Sequence, residues 1–166
     1  MEAGAMSEER PRVDDRDPAE AVADTVRRVL ALAETWVGWD GDPIRTGDRE
    51  YTPHKAIRRV ADHMIDHLAQ LEAYLAGVPS LPDDWHGSAV TTPADLAPFG
   101  SEDLDEARSR LTRLAQLWEI RLSSIAQSEL DRSERGGYTP REMAFCAVES
   151  AYYAESVGAL PSSRQR

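Results

Sequence analysis

The sequence predicts an all-α fold, a four-helix bundle with a long crossover between helices two and three. Apolar residues recur at spacings of three and four in four separate segments, and no stretch sustains the alternation of a β-strand. Asp-Pro or Thr-Pro opens three of those segments, and Gly closes the same three. Residues 78–100, which join the second helix to the third, are long enough to run the length of a bundle.

Residues 1–16 hold Pro11, mixed charges and almost no large apolar groups, and read as a disordered arm. Residues 17–160 form the bundle, and 161–166 a short tail. Asp17-Pro18 is an N-cap with Pro at the first helical position, and Val22, Val26, Val29, Ala33 and Trp36 carry the first helix to Gly38. Trp39 to Arg49 reads as loop from its Gly, Asp and Pro content. Thr52-Pro53 opens the second helix, with a stripe of Ile57, Val60, Ala61, Met64, Leu68, Leu71 and Leu75 before Gly77 and Pro79 stop it. Four prolines and two glycines keep 78–100 from being a regular element. Ser101 is expected to cap the third helix, which buries Leu104, Ala107, Leu111, Leu114, Trp118, Leu122 and Ile125. Ser128 to Gly137 is a polar connection. Thr139-Pro140-Arg141-Glu142 is a capping box opening a fourth helix that reaches about Gly158. Tyr51-Thr52-Pro53 and Tyr138-Thr139-Pro140 echo one another, either as pseudo-symmetric hairpins or as two common N-cap signatures.

The chain has 166 residues, with 30 Asp and Glu against 19 Lys and Arg, a formal charge of -11. That length suits one domain, and the missing basic face argues against a nucleic-acid partner. Every basic residue except Lys55 is Arg. A single cysteine, Cys146, excludes a disulfide framework and a multi-Cys zinc site. The longest apolar run, Met143 to Val148, falls far short of the ~20 residues a membrane span needs, so no membrane partner is expected. With no charged-then-apolar leader, the expectation is a cytoplasmic protein. Glu-x-x-His, a Gly-rich phosphate loop, His-Glu-x-x-His and Gly-x-Ser-x-Gly are all missing.

The chemistry-bearing residues gather on helices two and four. His63 and His67 are four apart and stack on one helix face, the arrangement of two adjacent metal ligands or of two boundary histidines. At ~100° per residue, His67 lies roughly 80° from the centre of the apolar stripe and His63 roughly 120°, so His63 is placed on the solvent flank. Helix four turns Met143, Cys146, Ala147, Ser150, Tyr153, Ala154 and Val157 inward, with Glu149 at the margin. Cys146 is either a thiolate ligand beside Glu149 and the histidines or a small buried hydrophobe. Arg121 sits in the core-facing series between Trp118 and Ile125, and either pairs with a carboxylate such as Glu149 or snorkels to solvent. Trp85-His86 either closes over a pocket or anchors the crossover. A second apolar stripe, Phe145, Val148, Tyr152 and Ala159, needs a cover of its own, which the crossover (Leu96, Phe99) or a second subunit supplies. A homodimer through Phe145, Val148 and Tyr152 is the expectation.

The Thr-Pro start of helix two followed by Arg58-Arg59-Val60-Ala61-Asp62-His63, and a last helix reading AFCAVESAYYA from Ala144 to Ala154, resemble the DinB/YfiT-like superfamily. The resemblance spans roughly residues 18–160. It implies a bundle, often dimeric, in which one histidine of helix two and two of helix four hold a divalent metal. The activities it implies include thiol S-transferases using mycothiol or bacillithiol, and mycothiol-dependent maleylpyruvate isomerases. His63, or His67 one turn on, matches the helix-two ligand region. The helix-four histidines fall on Cys146, Ser150 and Ala154, none of which is a histidine. The leading expectation is therefore a bundle without the usual metal site and with no cofactor. Its small-molecule pocket lies between helices two and four, among His63, His67, Trp118, Arg121, Cys146, Glu149, Ser150 and Tyr153. The alternatives are a divergent transferase or isomerase taking a low-molecular-weight thiol, with Zn, Ni or Fe on His63, His67 and Glu149, and a non-catalytic dimeric interaction module.

Overall fold

A computed structural model describes residues 9–161. Four helical segments pack together as expected: α1 (Pro18–Glu34), α2 (Pro53–Ala76), α3 (Ser101–Ser123), and a last segment made of α4 (Pro140–Glu149) and α5 (Ala151–Val157). The signals at their starts act as read. Asp17 accepts the Glu20 N–H at 3.0 Å, Thr52 accepts the Lys55 N–H at 3.1 Å, and Thr139 and Glu142 exchange hydrogen bonds of 3.1 and 2.8 Å. Gly77, with φ of 69°, supplies the left-handed turn that ends α2.

Four details differ from the sequence reading. Gly100 occupies the N-cap of α3 and Ser101 is its first residue; the Asp103 carboxylate accepts the Gly100 N–H at 2.7 Å. The loop before α2 contains a small antiparallel hairpin, β1 (Ile44–Thr46) and β2 (Arg49–Tyr51), turning through Gly47. The fourth helix is interrupted at Ser150. Residues 10–16, which the composition reads as loose, run along α4 as a strap, with Pro11 buried and Arg10 clasping Glu142 at 2.7 and 2.8 Å. Residues 1–8 and 162–166 lie outside the described residues.

The apolar stripes meet in one core, built from Val22, Val26, Val29 and Trp36 on or just past α1, Val60, Met64 and Leu71 on α2, Leu111 and Trp118 on α3, and Ala147, Ala154 and Val157 on the last segment. Leu75, at the end of the α2 stripe, is exposed, so the buried stripe ends at Leu71. No helix among the described residues is long and apolar enough to cross a membrane.

Apart from one short 3-10 turn, Pro93–Leu96, capped by Thr92, the crossover is held by charge rather than by regular structure. Lys55 is 1% exposed; its Nζ donates to the Glu50 carbonyl (2.7 Å) and to Thr91 Oγ1 (3.1 Å), and sits 5.1 Å from the Tyr51 ring centroid. Arg58 donates to both oxygens of Asp95 (3.0 and 2.7 Å) and to the Val90 carbonyl (3.2 Å). Asp95, 2% exposed, also accepts the Thr92 N–H at 2.8 Å, and these donors hold its carboxyl below the usual carboxylate range against the cost of burial. The segment's return is pinned to the end of α1, where Phe99 N–H donates to the Trp39 carbonyl and Gly38 N–H to the Phe99 carbonyl. Asp95→Ala strips Arg58 of its bidentate partner and Thr92 of its cap. With Arg58 still partly solvated, a loss of about 2–4 kcal/mol is expected in urea unfolding, whereas Asp84→Ala, in the exposed part of the same segment, leaves the midpoint unchanged.

Candidate functional site

Helix α2 presents Asp62-His63 and Asp66-His67 on two successive turns toward the crossover and α5. The two imidazole rings lie 4.8 Å apart, centroid to centroid, and His63 meets the Tyr153 ring edge-on at 5.8 Å. His67 Nδ1 is 2.9 Å from Gln70 Oε1. His63 is half-buried rather than on a solvent flank: the helical projection measures its angle to one core only, and Tyr153 of α5 covers one side of its ring. Burial therefore drives its pKa down to about 4, helped by His67 and Arg59 and opposed by Asp83. Asp66 is raised above the usual carboxylate range, first by burial and then by Asp83 and Asp62.

Behind Tyr153 stands Arg59, which sequence reasoning missed. It is 5% exposed, with its guanidinium carbon 5.2 Å from the Tyr153 ring centroid. Its Nε donates to Ser88 Oγ (3.1 Å), Nη1 to Asp62 (3.1 Å), and Nη2, at a long 3.5 Å, to the Tyr153 hydroxyl. Ser88 donates to the same hydroxyl at 3.4 Å. Gly87 permits this arrangement, because a Cβ there would stand 2.6 Å from Arg59 Nη1 and 2.8 Å from Trp85 Nε1. Trp85 itself is largely exposed, as is His86, so neither anchors the crossover in the core.

The remaining expected site residues scatter. Trp118 is core, its indole donating to the Met64 carbonyl at 3.2 Å. Arg121 pairs with Glu72 on the surface rather than with Glu149. Glu149 instead accepts the backbone N–H of Arg12 at 2.9 Å. Cys146 and Ser150 are buried, and the Ser150 hydroxyl is turned back on the Ala147 carbonyl at 2.6 Å. Phe145 is 1% exposed, with the Arg16 guanidinium 5.9 Å from its ring centroid, so the strap covers the aromatic expected at a dimer face. Val148, Glu149, Tyr152 and Tyr153 open onto a surface groove of about 770 Å³, bounded by His63 of α2, Arg28 of α1 and Arg12 of the strap.

No family model, curated protein or solved structure matches this chain. The site therefore has to be read from its own chemistry. Among the described residues, no three His, Cys, Asp or Glu side chains converge to hold a metal ion. The donors do not fit the triad that the superfamily resemblance implies either: Ala154 has no ligand atom, and Ser150 Oγ is spent on a carbonyl. His63, by contrast, is neutral at physiological pH, and among the described residues neither of its ring nitrogens is hydrogen-bonded.

The His63 environment fixes a pH dependence. An imidazole in the unfolded chain takes a proton near pH 6.5, whereas the folded protein refuses it until about pH 4. Between those values acid favours the unfolded chain, so the contribution is complete above pH 6.5 and is lost as the pH falls toward 4. Asp66, shifted upward, works in the opposite direction over the acid part of the range. His63→Gln is expected to flatten the fall in melting temperature between pH 6.5 and 4 relative to wild type. Parallel curves for the two proteins would show that His63 is not the group being protonated.

Proposed function

We propose that this protein is a metal-independent member of the DinB/YfiT-like bundles that binds a small organic molecule in the groove along α4–α5, beside His63 of α2. The observation carrying this reading is His63: a neutral imidazole at the groove wall with both nitrogens available, next to a tyrosine whose position Arg59 and Ser88 fix. Such a group donates through one nitrogen and accepts through the other, which suits a polar ligand. The metal-dependent thiol transferase reading lacks its ligand set here, since His63 and His67 find no third donor in Glu149. The dimer reading loses Phe145, which lies under the strap, and keeps Val148 and the half-exposed Tyr152.

Thermal shift tests this reading with three kinds of probe: a low-molecular-weight thiol, an aromatic carboxylic acid and an amino sugar. At least one is expected to raise the melting temperature of the wild-type chain, with and without EDTA, and to lose most of that effect in His63→Gln and Tyr153→Phe. A shift that disappears on chelation returns the protein to the metal-dependent class. No shift with any probe removes the groove as a binding site.

A further inference from the structure

The groove has one wall that does not come from the bundle. The strap places Arg12 there, held by contacts along α4: Arg10 reaches Glu142 and, through Nη2, the Gly136 carbonyl at 3.0 Å; Pro11 is buried; the Arg12 N–H is bonded to Glu149. The two carboxylates bordering the groove are both engaged, Glu149 by the strap backbone and Glu155 by Arg28 of α1 at 3.5 Å. The Arg12 guanidinium has no hydrogen-bond or ion-pair partner among the described residues. The Tyr153 hydroxyl accepts from Arg59 and Ser88 at the long distances of 3.5 and 3.4 Å and still carries a proton of its own, and neutral His63 keeps an N–H.

Donors thus outnumber uncommitted acceptors in a groove whose other lining is Val148, Ala151 and the half-exposed ring of Tyr152. Resting on the binding role proposed above, we infer that the strap completes an organic-anion site: Arg12 holds a carboxylate-like group, Tyr153 and His63 donate beside it, and the apolar wall takes the body of the ligand. A guanidinium suits this role because its planar fork matches both oxygens of a carboxylate. Its place on the strap rather than on a helix makes anion affinity depend on how firmly the strap is docked.

Benzoate and benzamide, alike in shape and different in charge, separate this site from the groove itself when titrated into the full chain and followed by NMR of the His63, Tyr152 and Tyr153 rings. Benzoate is expected to shift these signals saturably, with benzamide weaker by about tenfold, the scale of a lost charge-assisted hydrogen bond. Arg12 is exposed, so Arg12→Gln keeps the fold and brings benzoate down to the level of benzamide. Arg10→Ala, whose side chain lies on Glu142 and not in the groove, weakens benzoate several-fold by loosening the strap. Equal affinity for the two probes, or benzoate binding unmoved by Arg12→Gln, overturns the anion site while leaving the groove as a binding site. Silence of all three rings toward both probes overturns the site and the groove together.

Discussion

Three cations on the first two turns of α2 must be satisfied away from bulk water, and the rest of the site follows from how that is done. Lys55, Arg58 and Arg59 point from the helix under the crossover, where an unpaired charge would cost several kcal/mol. Their partners are a hairpin carbonyl, Thr91, Val90, Asp95, Ser88, Asp62 and the Tyr153 hydroxyl. An irregular segment with four prolines has few internal hydrogen bonds to define its path. Here that path is defined by the acceptors it brings to α2, with Asp95 placed by its own capping box at Thr92. Apolar residues of similar size at the three positions would cost less desolvation, but they would leave the crossover without a register.

The same network builds the groove. Arg59 links the crossover to α5 through Ser88 and Tyr153, so Tyr153 has a fixed position opposite His63. The cover that satisfies Arg59 also desolvates His63, which is why an imidazole one turn away from a buried guanidinium stays neutral. Lys55 fits this scheme as the chain's one lysine: a compact ammonium reaches a carbonyl and a threonine hydroxyl over the Tyr51 ring.

The helices were legible because their signals are local. Asp17-Pro18, Thr52-Pro53 and the Thr139–Glu142 box each satisfy backbone donors within three residues, and the apolar stripes of α1 to α3 need only a period. The hairpin escaped notice because three residues per strand are too few to display alternation. The polar core of the site escaped for a different reason. Lys55, Arg58 and Arg59 lie on the polar side of the α2 stripe, and a helical projection assigns that side to water unless something covers it. Only the folded path of 78–100 supplies the cover. His63 is placed too far toward solvent by the same geometry, whereas Arg121 takes the surface alternative, snorkelling from the edge of the α3 stripe to Glu72. The spacing that puts His63 and His67 side by side on α2 was legible in the sequence, and their rings lie 4.8 Å apart.

The second apolar stripe of the last helix shows how one sequence pattern comes to serve two surfaces. Neither Gly nor Pro breaks the helix at Ser150. The Ser150 N–H reaches the Ala147 carbonyl (3.2 Å) and the Tyr153 N–H the Ser150 carbonyl (3.1 Å), both three residues back, and the Ser150 hydroxyl adds a third bond to Ala147. Such tight turns advance about 20° more per residue than an α-helix does, so Tyr152 and Tyr153 are rotated relative to Phe145 and Val148. The strap reaches only the α4 half, where Arg16 lies over Phe145 and the Arg12 N–H ties off Glu149 at the last residue of that helix. Beyond that point Tyr152 leans on Tyr51 and Tyr153, its ring centroid 6.4 and 5.9 Å from theirs, and stays 52% exposed. The groove opens beside the strap at Arg12, and past the interruption at Ser150 both tyrosines and the small Ala151 line it. A continuous helix under a longer strap would have buried the whole stripe and left no groove.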